Sequence, residues 1–122
     1  MKRQERGHLG ERLAYLHLQK AGYAILETNY RVAGGEIDIV ARKDSCLVFI
    51  EVRSKSTLDF GTAAESVTVT KRQKLLKTAL AYIAEHDEDG EARFDFISVW
   101  LGGDTPQFEI IENAFELSPE GL

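Results

Sequence analysis

Gly35-Glu36-Ile37-Asp38-Ile39-Val40-Ala41 and Leu47-Val48-Phe49-Ile50-Glu51-Val52-Arg53 stand on either side of a short polar link. Both read as strands, rich in Val, Ile and Phe and bounded by turn residues. With Asp44-Ser45 as a two-residue loop they close an antiparallel hairpin. Lys43 then faces Cys46, and residues whose numbers sum to 89 lie opposite each other. That register sets Asp38 against Glu51 and Glu36 against Arg53, and on the other face Ile37, Ile39 and Ala41 against Val52, Ile50 and Val48. One face is wholly apolar. The other carries three carboxylates and a guanidinium among Val40, Leu47 and Phe49. Loop parity governs all of this, because an odd-length loop would turn Glu51 to the opposite face.

Directly opposed residues have Cβ atoms ~5 Å apart, and like charges so placed destabilise a sheet. A carboxylate in a largely apolar strand is costly unless it is paired or binds a metal. Two facing carboxylates therefore ask for a cation, and oxygen-only ligands suit a hard ion such as Mg²⁺ or Mn²⁺. A cross-strand ladder, with Arg53 neutralising Glu36 and Asp38 and no metal at all, satisfies the same charges. Both readings stand on spacing alone.

A chain of 122 residues has the size of one domain with one real core, so a single domain over residues 1–122 is expected, with an ordered core from about 7 to 116. Hydrophobic content of 43% and charged content of 29% are ordinary for a soluble globular protein. No apolar run approaches the ~20 residues that span a bilayer, and the basic start Met1-Lys2-Arg3-Gln4-Glu5-Arg6 lacks the apolar region of a signal peptide. The single Cys46 cannot make an internal disulfide and reads as a small core residue. A cytoplasmic protein without membrane partners is the expectation. The net charge of −5 argues against holding nucleic acid by overall charge, but basic residues gather at Lys2, Arg3 and Arg6, at Arg53 and Lys55, and at Lys71, Arg72, Lys74 and Lys77. A local patch of this kind can still contact phosphate.

Leu9 to Ala21 reads as a helix, with Leu9, Leu13 and Leu16 on one stripe, Ala14, Leu18 and Ala21 beside it, and Gly22 as its stop. Tyr23 to Tyr30 follows as a strand, then the hairpin. Ser54 to Glu65 reads as irregular. Thr70 with Gln73 makes a capping box for a second helix carrying Leu75, Leu76, Ala79, Leu80 and Ile83. Arg93 to Leu101 and Gln107 to Glu112 are the last strands, and the tail from Leu117 is expected to fray. The order is α-β-β-β-α-β-β. The strand Leu47 to Val52 is apolar on both faces for most of its length, which suits a sheet covered by helices on both sides. The class is α/β, a three-layer α/β/α sandwich around a mixed sheet, and Glu51 and Arg53 fall at the end of a central strand, where an open α/β fold usually places its site.

An Asp on the second strand, followed on the third by Glu-x-Lys or a variant, after a helix bearing a Glu, resembles the PD-(D/E)xK, restriction-endonuclease-like nuclease fold. Asp38 matches the first acidic position, and Glu51-Val52-Arg53 matches the second motif with Arg in place of Lys. The stretches Gly10-Glu11-Arg12-Leu13-Ala14, Asn29-Tyr30-Arg31, Gly35-Glu36-Ile37-Asp38, Arg93-Phe94-Asp95 and Asn113-Ala114-Phe115 also resemble the YraN family, small bacterial proteins assigned to this nuclease-like fold. The resemblance spans residues 7 to 116.

It implies Mg²⁺- or Mn²⁺-dependent endonuclease activity, a hydrolase acting on phosphodiester bonds of nucleic acid, DNA of structured or branched form being the expected partner. Asp38 and Glu51 would hold the metal, and Glu11 matches a helix carboxylate that joins the metal site in some Holliday-junction resolvases of this fold; a solvent-facing helix residue is its bland alternative. Glu36 would be an outer partner. Arg53 would act as a phosphate clamp rather than a base, since arginine keeps its charge. Lys55 shares its strand parity, and Lys71, in the N-terminal turn of the second helix, would contact phosphate. A catalytically weak or inactive nucleic-acid-binding or protein-interaction module of the same fold is the alternative function, and a homodimer is compatible with either. His8, His17 and His86 lack metal-ligand spacing, Cys46 lacks an activating neighbour, and no glycine loop precedes a helix to cradle phosphate.

Overall fold

The computed structural model describes residues 3–55 and 68–115. The chain runs α1 (Arg3–Lys20), β1 (Ala24–Val32), β2 (Gly35–Lys43), β3 (Cys46–Lys55), α2 (Val69–Glu85), β4 (Ala92–Trp100) and β5 (Gln107–Phe115). The five strands form one sheet in sequential order, antiparallel throughout except for the central parallel pair β3–β4. A parallel pair needs a long crossover, and α2 lies in it. The element order and the mixed α/β class agree with the sequence pattern. Most of the irregular link expected from Ser54 to Glu65, and the tail from Leu117, lie outside the described residues.

The hairpin forms in the expected register. Lys43 faces Cys46, and the pairing continues without slip to Ile39 opposite Ile50. Its tight turn holds Asp44 at φ 49 and Ser45 at φ 68, the left-handed backbone that lets a two-residue loop follow the strand twist. Each sheet face has its own core. Ala14 and Leu18 of α1 pack with Ile39, Ala41, Cys46, Val48, Ile50, Ile97 and Val99. Leu75, Ala79 and Tyr82 of α2 pack with Tyr30, Val40, Leu47, Phe49 and Phe94. The alternation along β3 thus feeds both layers, as its two-sided apolar pattern requires.

Four local expectations need correction. The first helix begins at Arg3, and its buried stripe is Gly10, Ala14 and Leu18, whereas Leu16 is 48% exposed. The reason is close approach: a Cβ at Gly10 would overlap the Ser54 side chain, so α1 rests on the end of β3 through its glycine rather than its leucines. The second helix begins earlier than a Thr70 cap allows. Thr68 is the N-cap, its hydroxyl accepting from the Lys71 N–H at 3.1 Å, which takes the capping hydrogen bond away from the Thr70/Gln73 pair. Leu80 lies on the outer side of α2, 43% exposed, and Tyr82 is the residue that goes in. Lastly, Ile37 leaves the face it shares by parity with Ile39 and joins the α2-side cluster. The backbone cause lies at the site itself.

One buried carboxylate gathers three donors and ties both sides of the sheet to β4. Asp95 is fully buried in β4 and accepts from Tyr23 Oη at 2.7 Å, from Arg93 Nε at 3.0 Å and from the Asn113 N–H at 2.9 Å. A buried carboxylate is tolerated when its lone pairs are so filled. Burial raises the Tyr23 phenol well above the ordinary range, and the hydrogen bond to Asp95 and its charge add to the rise.

A carboxylate site where the central strands part

The β2–β3 ladder ends after Ile39 and Ile50. In the continuing register Val52 would face Ile37, yet the Val52 N–H donates to Asp38 Oδ2 at 2.8 Å. A side chain of β2 has taken the place of its own main chain as acceptor. The strands separate here, Asp38 is drawn into the gap, and Ile37 is free to turn toward α2. Facing this gap, Glu51 is 7% exposed on the central strand. Lys71, in the first turn of α2, reaches it with Nζ 3.4 Å from Oε2. The Thr68 cap fixes that turn, so a residue outside the sheet is delivered onto a sheet carboxylate by local helix chemistry.

The electrostatics follow from burial and crowding. Loss of water raises the Asp38 carboxyl to about 6; the Val52 N–H opposes this, while Glu11 and Glu36 add to it and Lys71 relieves it. Loss of water raises Glu51 to about 7, the Asp38 charge adds to the rise, and Lys71 and Arg53 oppose it. The two acids act as a pair, so protons leave in steps that belong to both. Carboxyls raised in this way where two strands part mark a candidate functional site.

The site residues expected from the sequence gather to different degrees. Asp38 lies close enough to Glu51 for its charge to raise that carboxyl, although the β2–β3 ladder stops one residue short of pairing them. Glu11 enters as a charge neighbour of Asp38, and Arg53 as a half-buried charge neighbour of Glu51. No group of three His, Cys, Asp or Glu residues at metal-binding spacing occurs among the described residues. Lys55 ends β3, half-buried; the strand continues that far, as its parity argument needed. Glu36 does not meet Arg53. It pairs with Arg31 of β1 at 3.3 Å, on the register partner that β1 supplies, so the ladder of Arg53 with Glu36 and Asp38 does not form. Arg53 makes no ion pair among the described residues.

Sequence reasoning missed the Val52 N–H as a partner of Asp38, and it missed a groove beside it. This groove, about 650 Å³, lies between α1 and the β1–β2 strands and has Glu11 and Asp38 in its walls with His8, Arg12, Tyr15 and Asn29. The helix-face pattern of residues 8, 11, 12 and 15 was available in the sequence, but the strand it faces was not.

A model of the uncharacterised protein family UPF0102 matches residues 10–99, a stretch that includes Glu11, Asp38, Glu51, Arg53 and Lys71. A UPF0102 protein of Dehalococcoides mccartyi is 47% identical over 92% of this chain and 93% of its own length. Similar UPF0102 proteins occur in Geobacter metallireducens, 44% identical over 92% of this chain and 93% of the relative, and in Moorella thermoacetica, 44% identical over 94% and 98%.

Proposed function

This chain belongs to the UPF0102 (YraN) family, and from that footing we propose that it is a metal-dependent nuclease of the restriction-endonuclease-like kind, cleaving phosphodiester bonds in structured or branched DNA. The observation that carries the reading is the approach of Asp38 to Glu51 where β2 and β3 separate, both acids raised by burial.

The donor chemistry suits Mg²⁺ or Mn²⁺. Asp38 Oδ2 is taken by the Val52 N–H and Glu51 Oε2 by Lys71, which leaves Asp38 Oδ1 and Glu51 Oε1 as ligands. One or two carboxylates are a usual protein share for Mg²⁺, which keeps several waters and takes substrate phosphate oxygens. Asp38 and Glu51 would hold the ion, with Glu11 the third carboxylate in reach of its charge. A divalent ion held by Asp38 and Glu51 would supply Lewis-acid charge at the scissile phosphate. The chain's own residues do the rest. Arg53 and Lys55, along the same strand edge, clamp the phosphate that enters the gap. Lys71, held on Glu51 from the helix side, would move to the phosphate once a metal occupies the carboxylates.

Cleavage assays with Mn²⁺ across single-stranded, duplex, branched and flapped DNA and RNA test the reading. Glu51→Gln is expected to abolish both cleavage and metal binding, since a ligand is lost. Arg53→Ala should lower cleavage ~10²–10³-fold, the usual loss for one preorganised charge-stabilising donor, with metal binding largely kept. Absence of cleavage throughout, or cleavage that survives Glu51→Gln, overturns it. One observation favours the second reading, a binding module without catalysis: Lys71 already neutralises Glu51, a place a metal would otherwise fill. Metal titration by calorimetry separates the two.

A further inference from the structure

We infer that the groove between α1 and the β1–β2 strands receives one unpaired nucleotide next to the phosphate clamped at the Asp38–Glu51 gap, so that the protein acts on strands with unpaired bases. The inference rests on the nuclease reading for its phosphate, and on the groove for its base. At about 650 Å³ the groove is within the ~300–1,000 Å³ usual for a small-ligand site. Its location is specific. Asp38 and Ile39 are part of its lining, so whatever occupies it abuts the carboxylate pair.

Its walls carry the chemistry of nucleotide recognition. Tyr15, half-buried, and Leu16, 48% exposed, lie in one wall and offer a flat apolar surface on α1. Tyr15 supplies an aromatic ring in that wall, and the π-face of a base stacks on such rings in a sequence-tolerant way. Across from them Asn29 belongs to the β1 wall with its backbone left-handed at φ 53, and Thr28 precedes it. An amide and a hydroxyl match the hydrogen-bonding edge of a base that has no complementary strand. His8 and Arg12, one turn apart on α1, place donors at the rim for a flanking phosphate.

A paired base has its edge and both faces committed to its partner and its stack, so it cannot enter such a slot without being flipped out. Arg12 supplies a cation at the rim of a groove whose lining is acidic at Glu11 and Asp38, so a phosphate is drawn to the rim and the base to the Tyr15 wall.

Fluorescence polarisation tests this with the full chain, in Ca²⁺ to offset the acids, using labelled single-stranded and blunt duplex oligonucleotides whose integrity is checked by gel. Wild type is expected to hold the single strand more tightly than the duplex. Tyr15→Ala should weaken the single strand between about 5-fold and about 100-fold, the range for loss of one stacked base, with duplex binding nearly unmoved, while Tyr15→Phe retains it. Arg12→Gln, at an exposed helix position, should weaken it less and serves if Tyr15→Ala melts early. Single-strand affinity unchanged by Tyr15→Ala and Arg12→Gln, or equal losses on both DNAs, overturns the groove assignment even where Mn²⁺-dependent cleavage is intact. Tyr15-dependent binding by a protein that takes up no Mn²⁺ upholds the groove and overturns the nuclease. No binding to either oligonucleotide overturns the groove assignment, and cleavage of branched and flapped DNA then decides the nuclease reading by itself.

Discussion

Glu51 has lost most of its water, feels a second carboxylate and is relieved by Lys71 and Arg53, and those facts set how the protein should respond to pH. The folded Asp38 and Glu51 carboxyls are raised, so between the unfolded and folded values the folded chain binds more protons than the unfolded chain. Their contribution to stability is fully present below about pH 4 and is lost as pH rises through about 6 to 7. Melting of the metal-free protein is therefore expected to fall between pH 5 and pH 8. Glu51→Gln should flatten that slope and gain on the order of 1–2 kcal/mol at pH 8, and Mg²⁺ should flatten it in wild type. A metal-free melt that rises over this window, or a Glu51→Gln protein less stable at pH 8, would mean that the pair is a net stabiliser in its charged form. Residue types and strand parity were enough to single out Asp38 and Glu51. They were silent on Lys71 as a partner of Glu51 and on Arg31 as the partner of Glu36, because both depend on which element is packed alongside and not on spacing within one hairpin.

Along single elements the sequence was most informative where periodicity and turn chemistry coincide. The Asp44-Ser45 turn fixes the β2–β3 register, and Gly22 at φ 96 ends the first helical segment as expected. It was least informative for α1, where a stripe of leucines suggested one buried face and a glycine sets another. Helix propensity alone favours Gly10→Ala by ~1 kcal/mol. Contact reverses the sign, since the added Cβ meets Ser54 Oγ and Cβ with no space between them. Gly10→Ala is expected to destabilise by about 1–3 kcal/mol, the usual cost of overfilling a tight contact. Ser54→Gly in the same chain should restore much of it. Denaturant midpoints of the four proteins measure this coupling, and additive effects would show that α1 tilts away freely. The adjacent Glu11 would shift with the helix, so any metal affinity would report the same displacement. Helix caps were legible only to within two residues: Thr70 with Gln73 has the right letters, but Thr68 is the residue that reaches the Lys71 N–H.

Across the molecule, the order of elements and the two-sided core were legible because the central strand is apolar on both faces and each helix carries an apolar stripe. The Asp95 cluster and the groove beside α1 were not, since both join residues far apart in the chain, Tyr23 to Asp95 and Tyr15 to Asp38. The sequential strand order has one interruption, the crossover between β3 and β4, and that interruption divides folding into unequal steps. β1, β2 and β3 are neighbours in sequence and close short loops, whereas β4 must wait for the segment through α2 to return before it can pair with β3. Loop-closure entropy places such pairings late, so the hairpin at Asp44-Ser45 belongs to the nucleus. Two non-glycine residues there hold left-handed backbone, which costs ~1–2 kcal/mol per residue when no side chain compensates. An Asn-Gly turn, made by Asp44→Asn with Ser45→Gly, should relieve about 1 kcal/mol of this. In stopped-flow refolding the gain should appear as roughly fivefold faster folding with the unfolding rate nearly unchanged; a gain confined to unfolding would place the hairpin after the barrier. The turn that sets which carboxylates meet would then also set how soon the chain commits to its native topology.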